Sequence, residues 1–128
     1  MQNWMFKMKG KEVKKTWGRE IWMANTEEYC GKKLILEKGK RVSLHCHKIK
    51  DETFYIDEGK VLMEVGGETK IMQKGDVVRI LPGTLHRYTG LTDVVIIEIS
   101  THHEDEDTYR EKDQLSGDVP EEIMEKYS

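Results

Sequence analysis

Hydrophobic and polar residues alternate in short bursts through the middle of this chain. KLILE (33–37), RVSLHCH (41–47), TFYID (53–57), KVLMEV (60–65), TKIMQ (69–73), VVRIL (77–81), HRYTG (86–90) and VVIIEIS (94–100) are each rich in β-branched, aromatic or large aliphatic residues. Between them stand Gly39, Glu58-Gly59, Gly66-Gly67, Gly75-Asp76, Pro82-Gly83 and Gly90. Turn signals recurring at intervals of about 8 to 10 residues predict an antiparallel sandwich or barrel. No helical period is interleaved with these runs, which argues against a parallel sheet built from strand–helix–strand units.

The ends carry a different pattern. Residues 101–113, THHEDEDTYREKD, are polar and acidic and read as a solvated exit from the last strand, with His102 and His103 as exposed loop residues. Residues 119–127 suit a short helix with Pro120 near its first turn and acidic residues at its start. A helix this short needs a surface to dock on, either the barrel or a second subunit. Trp4, Trp17 and Trp22 read as packing residues or dimer contacts. The expectation is one domain over residues 1–128, with a barrel core of about 30–100 and a tail at 101–128.

Composition narrows the function classes. The 128 residues are 37% hydrophobic and 35% charged, with a formal net charge of -3, so no bulk attraction to nucleic acid or to an anionic membrane is expected. Cys30 and Cys46 form no C-x-x-C pair and suggest no disulfide framework. The N-terminus has no apolar run of signal-peptide length, and a cytoplasmic protein is expected.

The chemistry concentrates around two histidines. In a strand over 41–47, Ser43, His45 and His47 share one face, and Leu44 and Cys46 share the other. Residues 48–51, KIKD, suit a tight turn, which would bring Glu52 beside the histidine pair. His86, just after the Pro82-Gly83 turn, is placed to supply a fourth ligand. Three imidazoles and a carboxylate would hold a divalent transition metal (Zn, Mn, Fe, Co or Ni) and leave two adjacent positions open on an octahedral ion. Arg79 and Tyr88 become substrate-binding candidates if their strand faces point inward. Lys50 and Arg87 flank the ligands and could meet a phosphate.

These residues also carry a resemblance. Gly39, His45-x-His47, Glu52 and Gly59 resemble the first motif of the cupin superfamily at every fixed position, and Gly75 through His86 resembles the second. The second motif departs at Leu81, where proline is usual, and at Gly90, where asparagine is frequent; neither is a ligand position. Residues 13–25 with the Lys15-Thr16-Trp17-Gly18 element, and the segment 100–110, are similar to single-domain cupins related to the C-terminal part of type II mannose-6-phosphate isomerases. The resemblance implies an all-β cupin (jelly-roll, double-stranded β-helix) barrel of two antiparallel sheets with short N- and C-terminal extensions, and a homodimer. It further implies a metal-dependent aldose–ketose isomerase of sugars or sugar phosphates, with Glu52 as a ligand that also takes part in proton transfer. An iron-dependent dioxygenase and a non-catalytic sugar-binding or sensor module stand as alternatives.

Overall fold

The computed structural model describes residues 5–128; Trp4 lies outside them. Thirteen strands run in order among the described residues: β1 (Lys11–Lys15), β2 (Gly18–Asn25), β3 (Cys30–Leu36), β4 (Lys40–Arg41), β5 (His45–Cys46), β6 (Glu52–Glu58), β7 (Lys60–Val65), β8 (Glu68–Gln73), β9 (Val77–Ile80), β10 (His86–Gly90), β11 (Val94–Ser100), β12 (Tyr109–Arg110) and β13 (Gly117–Asp118). A 3₁₀ turn, Asp105–Asp107, and one helix, α1 (Glu121–Lys126), complete the set. The expected helix at the C-terminus is present, and the eight expected strand regions all contain strand.

All pairings are antiparallel. One sheet has the order β1-β2-β3-β11-β6-β9, and the other runs β12-β5-β10-β4-β13, with β7 pairing β10 and β8. Two packed antiparallel sheets make the jelly-roll barrel. Its interior is filled by the alternate residues of facing strands, among them Leu34, Leu36, Phe54, Ile56, Val61, Met63, Ile80, Val94 and Ile96, all buried.

Two local features differ from the sequence expectation. The strand expected over 41–47 is interrupted between β4 and β5. Arg41 faces Thr89 and His45 faces His86, so the 41–45 stretch holds one residue more than the 86–89 stretch opposite. An extra residue of this kind breaks the ladder as a bulge does, and it turns both Val42 and Ser43 inward, where they are buried. The second difference is at the N-terminus, where β1 and β2 form a hairpin that extends the first sheet through β3. KEVKK holds a single apolar residue, Val13, among charged ones, which leaves little hydrophobic signal for a strand. The hairpin is fixed by a close backbone approach. Gly18 has φ +148°, and a Cβ there would lie 2.0 Å from the carbonyl oxygen of Ile35.

The inner faces of the first sheet change character along their length. Ile96 lies opposite Leu34 and Ile56, but the next inward position, Glu98, lies opposite Lys32 and Phe54, and Ser100 lies opposite Glu52 and Cys30. One end of the barrel is therefore oil, and the other end is a row of buried charges. The second end is where the histidines gather.

Candidate metal centre

Sheet register brings the histidines together. The antiparallel pair of β5 and β10 sets His45 directly against His86, with ring centroids 4.3 Å apart. His47 follows two positions on, on the same face, 5.0 Å from the His45 ring. All three are buried, and one nitrogen of each lies within 4.8 Å of one from each of the others.

Their other nitrogens are all occupied by backbone. His45 Nδ1 lies 2.6 Å from the Ser43 carbonyl oxygen, His86 Nδ1 lies 2.9 Å from that of Thr84, and His47 Nδ1 lies 3.1 Å from that of Asp107. A carbonyl can only accept, so each Nδ1 carries the proton and each Nε2 presents a lone pair. His86 Nε2 is buried and has no hydrogen-bond partner. Burial, reinforced by the neighbouring imidazoles and Lys50, pushes His45 down to about 3 and His47 down to about 2; burial also lowers His86. Neutral, oriented imidazoles with an orphaned lone pair are what a borderline transition metal requires, so these three residues could hold one.

Glu52 adjoins the trio. Its Oε2 is 3.5 Å from His47 Nε2 and 3.4 Å from His86 Nε2, while Oε1 is 3.7 Å from Lys50 Nζ. Burial and the nearby Glu98 raise its carboxyl to about 8. Lys50 is itself buried and reaches Glu98 Oε2 at 3.1 Å and His103 Nδ1 at 3.1 Å. Opposing carboxylates hold Lys50 charged against the cost of burial, and its ammonium, with that of Lys32, keeps Glu98 ionised. Lys32 continues the row: Nζ is 3.6 Å from Glu20 Oε1 and 4.1 Å from the centre of the Trp22 ring. This chain of alternating charges forms one wall of a cavity of about 300 Å³ whose floor holds His45 and His47.

The sequence candidates divide as follows. Lys50 and Tyr88 line this cavity together with His45, His47 and Glu52. Tyr88 packs edge-on between Trp17, at 6.4 Å, and Phe54, at 5.4 Å. Arg79 is absent from the lining; it projects from β9 into solvent and bonds Asp51, Nη2 to Oδ2 at 2.6 Å. Arg87 points to the outside of the second sheet, where it binds Glu64. Cys46 is on the face away from the histidines, as its register predicts.

The tail departs from the solvated exit read in the sequence. His103 packs into the cavity wall, with its side chain only 9% exposed, between Lys50 and Asp105 and edge-on to Trp22 at 5.2 Å. His102 stays half-exposed and bonds Glu104. Asp107 is buried, and its carboxylate accepts the backbone N–H groups of Lys48, Ile49 and Lys50. An acidic run looks solvated in sequence because its partners, bare backbone amides of a turn 57 to 59 residues earlier, leave no mark in composition. Lys32 and Glu98 did leave one. Each occupies an inward position next to a run of apolar inward residues, Leu34 and Leu36 in one case, Val94 and Ile96 in the other.

The fold and site can now be set beside known proteins. An uncharacterized protein of Methanocaldococcus jannaschii is 35% identical over 60 residues, which cover 47% of this chain and 48% of that one; the chain thus spans about half the length of this curated relative. Among solved structures, the Streptomyces nucleoside dehydratase Pac13 with uridine superposes with a TM-score of 0.73 at 11% identity, over 90% of this chain and 94% of that one. A putative sugar phosphate isomerase from Acidithiobacillus ferrooxidans superposes with a TM-score of 0.60 at 17% identity, over 76% and 70%. At these identities the structural likeness establishes the fold and leaves the reaction open. The cupin domain model matches residues 33–100, more than half of the chain and the span from within β3 to the end of β11. The chain belongs to the cupin domain family.

Proposed function

We propose that this protein is a metal-dependent aldose–ketose isomerase of a sugar phosphate, of mannose-6-phosphate isomerase type, acting in the cytoplasm as a homodimer. The observation that carries the reading is an oriented three-histidine cluster with the buried Glu52 carboxyl 3.5 Å from His47 Nε2 and 3.4 Å from His86 Nε2, with His45, His47 and Glu52 opening onto one cavity. His45, His47 and His86 would hold a divalent ion, with Glu52 Oε2 beside it. When bound, such an ion supplies Lewis acidity to a carbonyl oxygen and the adjacent hydroxyl.

The chain's own residues supply the rest. Aldose-to-ketose conversion removes a proton from C2 and returns one to C1, while the hydroxyl proton passes from O2 to O1, so composition is unchanged. With a cation beside Oε2 the Glu52 carboxyl would be ionised, and a carboxylate so placed can accept the C2 proton and return it to C1. Glu52 is therefore assigned the carbon-to-carbon transfer. Lys50, 3.7 Å away, stabilises its anionic form. Lys14, Lys15 and Arg110 near the cavity lining favour a phosphorylated substrate.

The test is direct. Protein loaded in turn with manganese, zinc, iron, cobalt or nickel is incubated with a panel of aldose and ketose phosphates. Interconversion of one pair is expected, and Glu52→Gln is expected to lower its kcat by about 10²–10⁴ while the folded chain remains. A panel left unchanged by every metal form would sink the assignment. Oxygen consumption by the iron form alone would transfer the site to the dioxygenase class.

A further inference from the structure

The outside of the second sheet holds a cavity that the barrel site does not use. It has a volume of about 210 Å³ and lies between the sheet and α1, with Arg41, Arg87 and Thr89 on one side and Ile123, Lys126 and Tyr127 on the other. Strand alternation explains its content. Along β10, His86 and Tyr88 face the barrel interior, so Arg87 and Thr89 face outward. Thr89 is nevertheless buried.

The charges in this cavity do not balance. Glu64 is its acidic residue, and both its oxygens go to Arg87, Nε to Oε2 at 2.9 Å and Nη2 to Oε1 at 3.1 Å. Arg87 Nη1 donates to Gln114 Oε1 at 2.7 Å. Arg41 is left over. Among the described residues its guanidinium makes no hydrogen bond or ion pair, and its Nε is buried with no partner. Burial and the like charge of Arg87 draw Arg41 below its ordinary value. Lys126 adds a third cation from α1, beside the Tyr127 ring at 5.3 Å. A guanidinium nitrogen withdrawn from water without an acceptor is costly, and the like charge of Arg87 beside it outweighs the opposing pull of Glu64.

We propose that this cavity is an anion site for a phosphate group, held by the fork of Arg41 with support from Lys126. The planar guanidinium presents paired N–H groups that match phosphate oxygens, and Lys126 adds a point charge. The cavity is larger than one phosphate group, so the organic part of a small phosphate ester also has room. The site is separate from the metal centre, because its side chains leave the opposite face of the sheet from His86.

Titration calorimetry on the full chain tests this, with inorganic phosphate as one probe and glycerol 3-phosphate as the other. Saturable binding is expected, weakened about tenfold or more by Arg41→Met and about threefold by Lys126→Ala. The Lys14→Ala/Lys15→Ala/Arg110→Ala variant, which strips the cations from the barrel cavity, is expected to keep the Arg41-dependent binding, which separates this site from that cavity. Tighter binding of the ester identifies an organic phosphate as the ligand, and equal binding identifies free phosphate. Melting curves give an independent reading. In the Lys14→Ala/Lys15→Ala/Arg110→Ala background phosphate should raise the Tm and adding Arg41→Met should abolish that rise, and without phosphate Arg41→Met should melt no lower than the parent. Affinity unchanged in both the Arg41 and Lys126 variants, or no saturable heat with either probe, would overturn the proposal.

Discussion

At the residue scale, the charges of the barrel mouth are held by mutual dependence. Lys50 stands between Glu98 at 3.1 Å and Glu52 at 3.7 Å, with all three side chains 5% exposed or less. Glu98 also accepts the Ser100 hydroxyl at 3.0 Å. Removing one partner of such a group leaves a buried charge uncompensated. Lys50→Met is therefore expected to cost about 3 kcal/mol of stability in urea denaturation. The double variant Lys50→Met/Glu98→Leu should recover part of that loss, because it removes the stranded carboxylate as well. A single variant within experimental error of the parent would show that water reaches the row. What could be read from the sequence at this scale followed geometry. His45, His47, Glu52 and His86 were legible because strand alternation and a tight turn fix their directions. Lys32 and Glu98 were visible only as polar interruptions of apolar inner faces, a signal that separates a buried charge from an edge residue only when the facing strand is known.

At the element scale, the tail belongs to the site. Asp107 ends the 3₁₀ turn, accepts N–H groups from Lys48 at 2.9 Å, Ile49 at 3.2 Å and Lys50 at 3.1 Å, and its backbone oxygen receives His47 Nδ1. The turn it caps joins His47 to Glu52. It is also the turn that places Lys50. Asp107→Ala should cost about 2 kcal/mol through the lost charge-assisted bonds, and, by loosening the turn between His47 and Glu52 while keeping the backbone oxygen on His47 Nδ1, it should weaken metal affinity about tenfold. Competition against a chromophoric chelator reads that affinity, and Asp107→Asn, which keeps an acceptor oxygen, should fall between. Unchanged affinity in Asp107→Ala would detach the tail from the site. The eight strand runs were readable because alternation with punctuating glycines is a local signal. The β1–β2 hairpin and the Asp107 clamp were not, because both are specified by partners distant in sequence: the Ile35 carbonyl that Gly18 approaches, and the amides that Asp107 collects.

At the scale of the whole molecule, the same buried groups set how the metal-free protein responds to pH. His45 and His47 are neutral in the fold, at about 3 and 2, and titrate near 6.5 when unfolded. Below 6.5 the unfolded chain binds the extra protons, so their contribution is fully present above 6.5 and is lost as pH falls. Glu52 acts in the opposite sense. Its folded carboxyl titrates at about 8 against 4.5 unfolded, so the folded state keeps a proton that the unfolded state has released, and stability declines as pH rises from 4.5 to 8. Between 4.5 and 6.5 the lowered histidines, His86 and His103 included, outweigh one carboxyl, and above 6.5 the Glu52 carboxyl and the raised His102 both make stability fall as pH rises. Melting temperature of the metal-free chain should therefore peak near pH 6.5 and fall on both sides. Saturating metal should raise the whole curve, since a ligand that binds only the folded state stabilises it. It should also lessen the decline above 6.5, because a cation beside Glu52 Oε2 favours the ionised carboxyl. A metal-free protein more stable at pH 8.5 than at 6.5 would show that Glu52 is already ionised in the fold without the cation.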